Sequence, residues 1–321
     1  MPQISNYPGG FAAGLTIRGM PIAITHPGKM FWVSNSGVFS DRQIGSSDGN
    51  DGTFDRPFST LTGALSKCTA HRGDIIMIKP GHAESVIAAA GIALSKAGVA
   101  IVGLGTGTKR PTFTFTTANT ATITVTADNI SVTNCVFVGN FLSVAVCFAL
   151  TAAKNFSVTN CYFNDTSTIL NFLAILSTAA GANACDGLIF SDNVVQNLGV
   201  TSNNTVLNLG GTMDGLVAER NLINWAVQNN KPILADVTTG ILTRCFVSEN
   251  RGYRPNTTTA GGSLIKVGGS TSTGWVVRNY VQTLTTGTDL LFTTTVGLGS
   301  FENRVSGVVG ATGFVIPAVD S

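Results

Sequence analysis

The sequence predicts an all-β chain in which short strands wind into a parallel β-helix, and two observations lead to this prediction. The pentapeptide Ser-Val-Thr-Asn-Cys occurs at 131–135 and again at 157–161, an offset of 26 residues. Further along the chain, a polar residue closes a short apolar run at steps of 24 to 32 residues. A period in this range, kept over most of a chain, indicates stacked repeats rather than one globular core.

Each repeat has the pattern of two short strands joined by a bend. The run Ile130-Ser131-Val132 is too short for a helix and alternates apolar with polar residues, as a strand with one buried face does. A second run, Val136-Phe137-Val138, follows the marker residue. Asn tolerates the left-handed backbone of a bend, and stacked Asn side chains can bond amide to amide. We therefore expect a structural ladder formed by Cys135, Cys161, Asn193, Asn221, Asn250, Asn279 and Asn303.

The sequence divides into three segments. Residues 1–45 are predicted to be an extended N-terminal arm or cap, residues 46–95 a first turn, a short capping helix and a first strand, and residues 96–321 the coils. The end of a coil presents unpaired backbone and needs covering. The first segment carries aromatic residues suited to covering that end or to docking on another protein: Tyr7, Phe11, Phe31 and Trp32.

Composition narrows the class of protein. Charged residues make up 11% of the chain and the net charge is +2, so bulk charge suggests no nucleic acid partner. The longest apolar stretch, Phe141 to Ala153, is 13 residues long and too short to span a bilayer. The N-terminus lacks a basic-then-apolar leader, and the six cysteines lack CxxC spacing. We expect buried free thiols in a protein made in a reducing cytoplasm.

Residues 46–81 contain a series of motifs that resembles the start of a known fold family. A Gly/Asp-rich turn is followed by Pro57-Phe58, then Thr60-Leu61 with Ala64-Leu65, then Gly73-Asp74-Ile75-Ile76 leading to Pro80-Gly81. This series resembles right-handed parallel β-helix proteins of the pectate-lyase-like kind, which are common among phage structural proteins and polysaccharide-degrading tailspikes. The resemblance covers about residues 46–310 and implies a right-handed coil and a homotrimer with low-charge flanks. It is specific for fold and much less so for function.

Acidic residues beside the ladder are the candidates for catalysis. Glycoside hydrolases need two carboxyl groups that face each other across the sugar, and lyases need a base, usually with acidic residues that gather Ca²⁺. Asp192, Glu219 and Glu249 are expected one coil apart, in an acidic row that Glu302 continues. Neighbouring arginines offer a second interpretation, an exposed strip of ion pairs, with Arg220, Arg251 and Arg278 as partners. No second acidic row lies opposite, which favours the strip and a protein that is not an enzyme.

A possible metal site lies in the Gly/Asp-rich turn. Asp48, Asn50 and Asp51 alternate with glycine as calcium ligands do, and Asp55 follows. An EF-hand loop would require Glu at its twelfth position, where Ser59 stands instead, so a helix-capping turn is the favoured interpretation. The three histidines have no zinc-site spacing, and we expect no cofactor.

These observations favour a non-enzymatic phage virion structural protein, either a capsid decoration (cement) protein or a head fibre that docks through its N-terminal arm. The expected partners are two further copies of the chain, in a homotrimer, and capsid or other virion proteins. A tailspike-type polysaccharide depolymerase or glycan-binding protein is the alternative, with a surface glycan as ligand, whereas a bacterial adhesin is less favoured because no leader is visible. The expected location is the virion, after synthesis in the host cytoplasm, without a nucleic acid or membrane partner.

Overall fold

The computed structural model describes residues 16–17, 20–21, 28–35, 45–198, 205–226, 231–237, 240–254, 263–267, 271–283, 297–306 and 313–314. Over these residues the chain forms short strands that stack into three long sheets, with parallel pairing inside the coil. The predicted all-β parallel β-helix is therefore confirmed.

The first sheet contains ten parallel strands in the described part of the chain. They are Met30–Val33, Ile75–Ile78, Ala100–Gly103, Ser131–Thr133, Ser157–Thr159, Ile189–Ser191, Val217–Glu219, Cys245–Ser248, Gly274–Val277 and Leu298–Phe301. The repeated pentapeptide is stacked in register, with Ser131 level with Ser157 and Thr133 level with Thr159.

The second sheet follows the first around a bend in each coil. Its parallel strands are Ala83–Val86, Thr112–Phe115, Val136–Gly139, Tyr162–Asp165, Val194–Gln196, Leu222–Asn224, Arg251–Arg254, Tyr280–Thr283 and Arg304–Ser306. Gly313–Phe314 closes this sheet by pairing antiparallel to the last of them.

The third sheet completes the coil. Its parallel strands are Ile92–Leu94, Ile123–Val125, Phe148–Leu150, Leu176–Thr178, Leu207–Asn208, Ala235–Val237 and Ile265–Val267. Two further pairs lie outside the three sheets: Thr16–Ile17 with Met20–Pro21, antiparallel, and Met213–Asp214 with Leu242–Thr243, parallel. Short strands suit this sequence because Thr, Val, Ile and Phe alternate between an outer and an inner face.

The interior of the coil is a continuous apolar column. Phe113, Phe137 and Phe163 occupy the same position in successive coils, and their ring centroids are 5.6 and 5.2 Å apart. Phe148 meets Phe137 edge-on, at 5.0 Å, from the third sheet. In-register stacking therefore aligns aromatic rings inside the coil, where offset stacks and edge contacts add to the stability that burial supplies.

A seven-residue α-helix, Leu61–Lys67, covers the first end of the coil. It begins at Thr60, whose Oγ1 accepts a hydrogen bond from the Gly63 N–H at 2.9 Å. Three residues of this helix, Leu61, Ala64 and Leu65, are buried, as expected of the predicted capping helix. No helix in the described ranges combines the length and the hydrophobicity that a membrane crossing would need.

Phe31 and Trp32 lie in the coil itself, which corrects the expectation that they belong to a free docking arm. Met30–Val33 pairs in parallel with Ile75–Ile78 and is thus the first strand of the first sheet. Phe31 is buried beside Phe58, with ring centroids 6.1 Å apart. Trp32 meets the edge of the Phe54 ring at 4.9 Å. Neighbouring residues of a strand point to opposite faces, so Phe31 lies inside the coil and Trp32 packs against the first turn. Tyr7 and Phe11 lie outside the described residues.

All six cysteines are buried free thiols, as predicted. Burial raises the pKa of the Cys161 thiol to about 12 and raises that of Cys135 and Cys147 well above the ordinary value. Because the thiolate is the reactive form, we expect an aromatic disulfide reagent to leave the folded protein unmodified and to titrate all six thiols in denaturant. Absorbance of the released thiolate measures both. Rapid reaction of two or more thiols in the folded state would contradict this packing.

Candidate functional site

The bend between the first and second sheets is the most regular feature of the molecule. Starting with the coil that contains Thr133 and Val136, two residues separate the first-sheet strand from the second-sheet strand in every described coil. The first of the two has a left-handed backbone, with φ between 51° and 59°, at Asn134, Asn160, Asp192, Arg220, Glu249, Arg278 and Glu302. The ladder residue is the second and is not left-handed. This corrects the expectation that the marker Asn itself adopts the left-handed angles.

The ladder asparagines point inward and form a hydrogen-bonded column. Asn221 Nδ2 donates to Asn250 Oδ1 at 2.8 Å, and Asn250 Nδ2 donates to Asn279 Oδ1 at 3.0 Å. Asn279 Nδ2 donates in the same way to Asn303 Oδ1 at 3.0 Å. Asn193 joins through its backbone N–H, which donates to Asn221 Oδ1 at 3.0 Å. All five are buried, so the column satisfies polar groups that the bend would otherwise leave without partners.

Toward the N-terminal end of the coil, cysteines occupy the ladder position. The Cys161 N–H donates to Asn193 Oδ1 at 2.9 Å, and Cys135 is level with Cys161 because Val136 pairs with Tyr162. Register then places Pro111 and His82 below Cys135. Sequence spacing missed these two because the bend is longer in their coils, over residues 104–111 and 79–82. His82 is buried, and its Nε2 lies 3.1 Å from Glu84 Oε2, which also accepts from the Leu61 N–H at 2.9 Å.

Charged side chains project outward from the left-handed position. Arg220 Nε and Nη2 donate to the two Asp192 carboxylate oxygens at 2.7 and 2.8 Å, and Arg220 Nη1 donates to Glu219. Arg278 Nη2 donates to Glu249 Oε1 at 2.7 Å. Asp192, Glu219 and Glu249 are thus each paired with an arginine, the arrangement of an ion-pair strip.

The predicted acidic row is not in a single register, which corrects that part of the sequence interpretation. Glu219 pairs with Ser191 on one side and Ser248 on the other, at the end of the first sheet. Asp192 and Glu249 lie one position further along the chain, level with Arg220. Relative to its marker residue, Glu219 lies one position earlier than Asp192 and Glu249 do. In a strand, a shift of one residue moves a side chain to the opposite face of the sheet.

The carboxyl groups whose pKa is displaced do not suit acid catalysis. The hydrogen bonds from Arg220 lower the pKa of Asp192, and those from Arg244 lower the pKa of Asp214 to about 2. A general acid requires a carboxyl group whose pKa is raised toward the working pH. In the described part of the chain, each carboxyl pKa that is displaced is lowered: Asp48, Asp51, Asp74, Asp192 and Asp214.

A groove of about 1040 Å³ runs along the outside of the bend. The residues that line it come from four consecutive coils: Arg220, Asn221, Leu222, Glu249, Arg251, Arg278, Asn279, Tyr280, Glu302 and Arg304. Leu222, Arg251, Tyr280 and Arg304 form one outward column of the second sheet. Arg251 is exposed and has no ion pair among the described residues. The sequence carries one local signal for this groove, the run Arg251-Gly252-Tyr253-Arg254, which by itself is typical of a solvated loop.

Of the candidate calcium residues, Asp48 serves the helix cap and Asn50 and Asp51 hold the first turn. Asp48 Oδ1 accepts from the Ser59 and Thr60 N–H groups at 3.0 and 2.9 Å, and Oδ2 accepts from Thr60 Oγ1 at 2.7 Å. Asn50 Nδ2 donates to the Pro57 carbonyl at 2.9 Å, and Asp51 Oδ1 accepts from Thr53 Oγ1 at 2.9 Å. No cluster of His, Cys, Asp and Glu able to hold a metal occurs in the described part of the chain, and Asp55 joins none there.

Acid should weaken this cap. Burial opposes ionisation of Asp48, but hydrogen bonds from Thr60 and Ser59 outweigh it and lower its pKa. A carboxyl group whose pKa falls on folding stabilises the fold above its unfolded pKa, near 4, and this contribution is lost as pH decreases through the folded value. We expect the urea midpoint to be flat above about pH 5 and to fall below about pH 4, and Asp48→Asn to flatten that fall. Glu302→Gln, which changes an exposed carboxyl group, is the control, and an equal flattening in both variants would contradict the assignment.

A buried lysine near the first turn was not found from the sequence. Lys79 Nζ donates to the Phe54 carbonyl at 2.6 Å and lies 3.8 Å from the centroid of the Phe54 ring. Burial lowers the pKa of Lys79 to about 8, which nearby Asp55 opposes. Its contacts fasten the first turn to the first sheet, so its role is structural.

Comparison with known proteins assigns no activity to this site. No protein-family model matches the chain, and no curated protein matches it. A solved structure described as "Rhamnogalacturonan lyase" is similar over 90% of each chain, with 14% identity and a TM-score of 0.39. Similarity at this level carries no conclusion about chemistry. The strand order and register described above are what identify the chain as a parallel β-helix.

Proposed function

We propose that this chain is a non-enzymatic structural protein of a phage virion, either a capsid decoration (cement) protein or a head fibre. The observation that carries the proposal is the ion pairing of Asp192, Glu219 and Glu249, the residues that catalysis would need. Asp192, whose two carboxylate oxygens are both held by Arg220, is a poor proton donor. The same pairs fix the outside of a coil whose inside is fixed by the asparagine column, which suits a rigid building block.

The outer surface supports an assembling role. Charged residues are few, and several large apolar side chains are exposed on the coil, Trp275 and Phe301 among them. Exposed apolar residues grouped on one face are typical of protein interaction surfaces. The proposed assembly is a homotrimer, with the segment before residue 28 as the docking element for other virion proteins.

Imaging of assembled particles tests this function directly. We expect the chain on the outside of the head, in groups of three, and lost from particles made with a chain that lacks residues 1–27. Deleting only those residues spares the first strand, Met30–Val33. Particles that carry the shortened chain at the normal level would exclude docking through this segment, and absence of the full chain from particles would exclude the virion role.

A glycan-binding or polysaccharide-cleaving protein is the second candidate, and the bend groove favours it. Arginine and tyrosine side chains on an elongated groove can contact sugar hydroxyl and carboxylate groups. Incubation with capsular polysaccharides, followed by reducing-end and unsaturated-uronate assays, separates the candidates. We expect no turnover. Sustained turnover that disappears in Glu219→Gln would replace the structural proposal with the enzymatic one.

A further inference from the structure

The outside of the bend carries an unusual concentration of apolar residues. Eleven large apolar side chains are exposed in the described part of the chain, and six of them flank the bend in its later coils: Ile189, Leu222, Phe246, Trp275, Tyr280 and Phe301. We call this surface, from the coil of Ile189 to that of Phe301, the bend face. Trp275 lies over Gly299, where an added Cβ would be 2.4 Å from the indole ring. The glycine lets the ring lie flat against the sheet.

The charges on the bend face alternate along the coil axis. Strand register places Arg220, Glu249, Arg278 and Glu302 at the same position in four consecutive coils. The order is positive, negative, positive, negative. Read backward it becomes negative, positive, negative, positive. A second column with the same order, running in the opposite direction, would therefore meet each charge with its opposite.

We propose that the bend face is a two-fold contact with a second, antiparallel copy of this chain. The two-fold axis passes midway between the coils of Glu249 and Arg278, so that Glu249 faces Arg278 of the second copy, and Arg278 faces its Glu249. The same rotation brings Arg251, which is exposed, opposite Tyr280 of the second copy. An arginine over a tyrosine ring is attracted by the ring face. This inference goes beyond the virion role and does not depend on it.

Within one chain, the central charges are held ready for this contact. Arg278 uses Nε and Nη2 on a single oxygen, Glu249 Oε1, at 3.0 and 2.7 Å. Arg278 Nη1 and Glu249 Oε2 have no partner in the described part of the chain. Both side chains are exposed, so the second copy can engage the atoms that remain. Groups already fixed in position lose less conformational entropy on binding.

The net charge of the bend face argues for a second copy rather than a polyanion or a polycation. Four arginines balance four acidic residues: Arg220, Arg251, Arg278 and Arg304 against Asp192, Glu219, Glu249 and Glu302. A charged polymer would meet like charges as often as opposite ones. A parallel copy in register would place Arg278 opposite Arg278. Of these two in-register arrangements, only the antiparallel one combines charge pairing with burial of the apolar side chains.

The size of the bend face predicts a weak contact. With the axis between the coils of Glu249 and Arg278, four coils of each copy face each other. Four coils at about 4.8 Å each and seven residue steps of about 3.3 Å across the bend give about 440 Å² per copy. The total of about 900 Å² is small for a specific protein interface. Association should therefore depend on concentration. If the chain also forms trimers, this contact joins two of them into a hexamer with three-fold and two-fold axes.

Charge reversal with mixing tests the contact. We expect Arg278→Glu and Glu249→Arg each to halve the mass of the purified full chain, measured by sedimentation equilibrium over a wide concentration range. In each variant, like charges face each other twice. An equimolar mixture should restore the mass, because the glutamate introduced at position 278 of one chain then faces the arginine introduced at position 249 of the other. The unchanged Glu249 of the first chain and the unchanged Arg278 of the second also meet.

The controls keep a folding defect separate from a lost contact. Arg244→Glu reverses an exposed arginine at a different turn and should leave the mass unchanged. Circular dichroism and the melting temperature of both bend-face variants should match those of the parent chain, because exposed ion pairs contribute little to stability. A parent chain whose mass does not change with concentration, or a mixture that fails to regain the parent mass, would overturn the proposal.

Discussion

Replacing Asn250 with alanine should lower the free energy of unfolding by about 4 kcal/mol, since a buried group that loses its partner costs about 1–3 kcal/mol. Asn250 Nδ2 donates to the Ala218 carbonyl at 2.9 Å, and Oδ1 accepts from the Asn221 N–H at 3.1 Å and from Asn221 Nδ2 at 2.8 Å. Alanine removes these three hydrogen bonds, and the one that Nδ2 donates to Asn279 Oδ1 at 3.0 Å, at a fully buried position. Water cannot replace them, because the column is packed between coils.

Urea denaturation followed by circular dichroism measures this loss. Gln282→Ala is the matched control, because it removes an amide from an exposed, outward position of the second sheet and should change stability by about 0.5 kcal/mol or less. Similar small effects in both variants would show that the asparagine column contributes little to stability. Asn250→Asp should be at least as damaging as alanine at neutral pH, because it buries a charge and removes both donated bonds.

Deleting residues 1–34 should destabilise the fold strongly, whereas deleting residues 1–27 should not. The longer deletion removes the strand Met30–Val33, with its buried Phe31 and Val33, and uncovers Ile76 and Ile78. Full burial of two such side chains stabilises by about 3–6 kcal/mol, as an upper estimate. The lost strand also leaves Ile75–Ile78 as an unpaired edge, which promotes aggregation.

Comparing the two deletions in the same denaturation experiment separates the strand from the preceding segment. The chain that lacks residues 1–27 should keep its stability within about 1 kcal/mol. The chain that lacks residues 1–34 should melt earlier and bind a dye specific for exposed apolar surface. Equal stability of the two shortened chains would mean that the first strand is dispensable.

The fold could be predicted from the sequence because every coil repeats one local pattern. Marker residues from Cys135 to Asn303 recur at intervals that match one turn of the coil, and alternation gave each strand its inner face. The capping helix was visible through the spacing of Leu61, Ala64 and Leu65. Backbone pairing between like segments leaves little freedom once the register is set.

Positions that depend on a single residue step were beyond sequence reasoning. Glu219 and Glu249 are both near a marker, yet one ends a strand and the other occupies the left-handed position. Trp32 was assigned to an arm because nothing in the sequence shows which distant strand pairs with Met30–Val33. The bend groove arises from side chains of four coils, a contact set that no local pattern contains. Each case requires knowledge of long-range pairing.

The constant two-residue bend has a consequence for engineering the chain. Repeat length varies because both connections of the third sheet vary. The connection that leads to the next first-sheet strand ranges from a short one between Val125 and Ser131 to a longer one between Thr178 and Ile189. Foreign peptides inserted at 179–184 should thus project from the coil and leave the stacking of the strands unchanged. The same peptides placed beside Asn250 would break the register of every coil that follows.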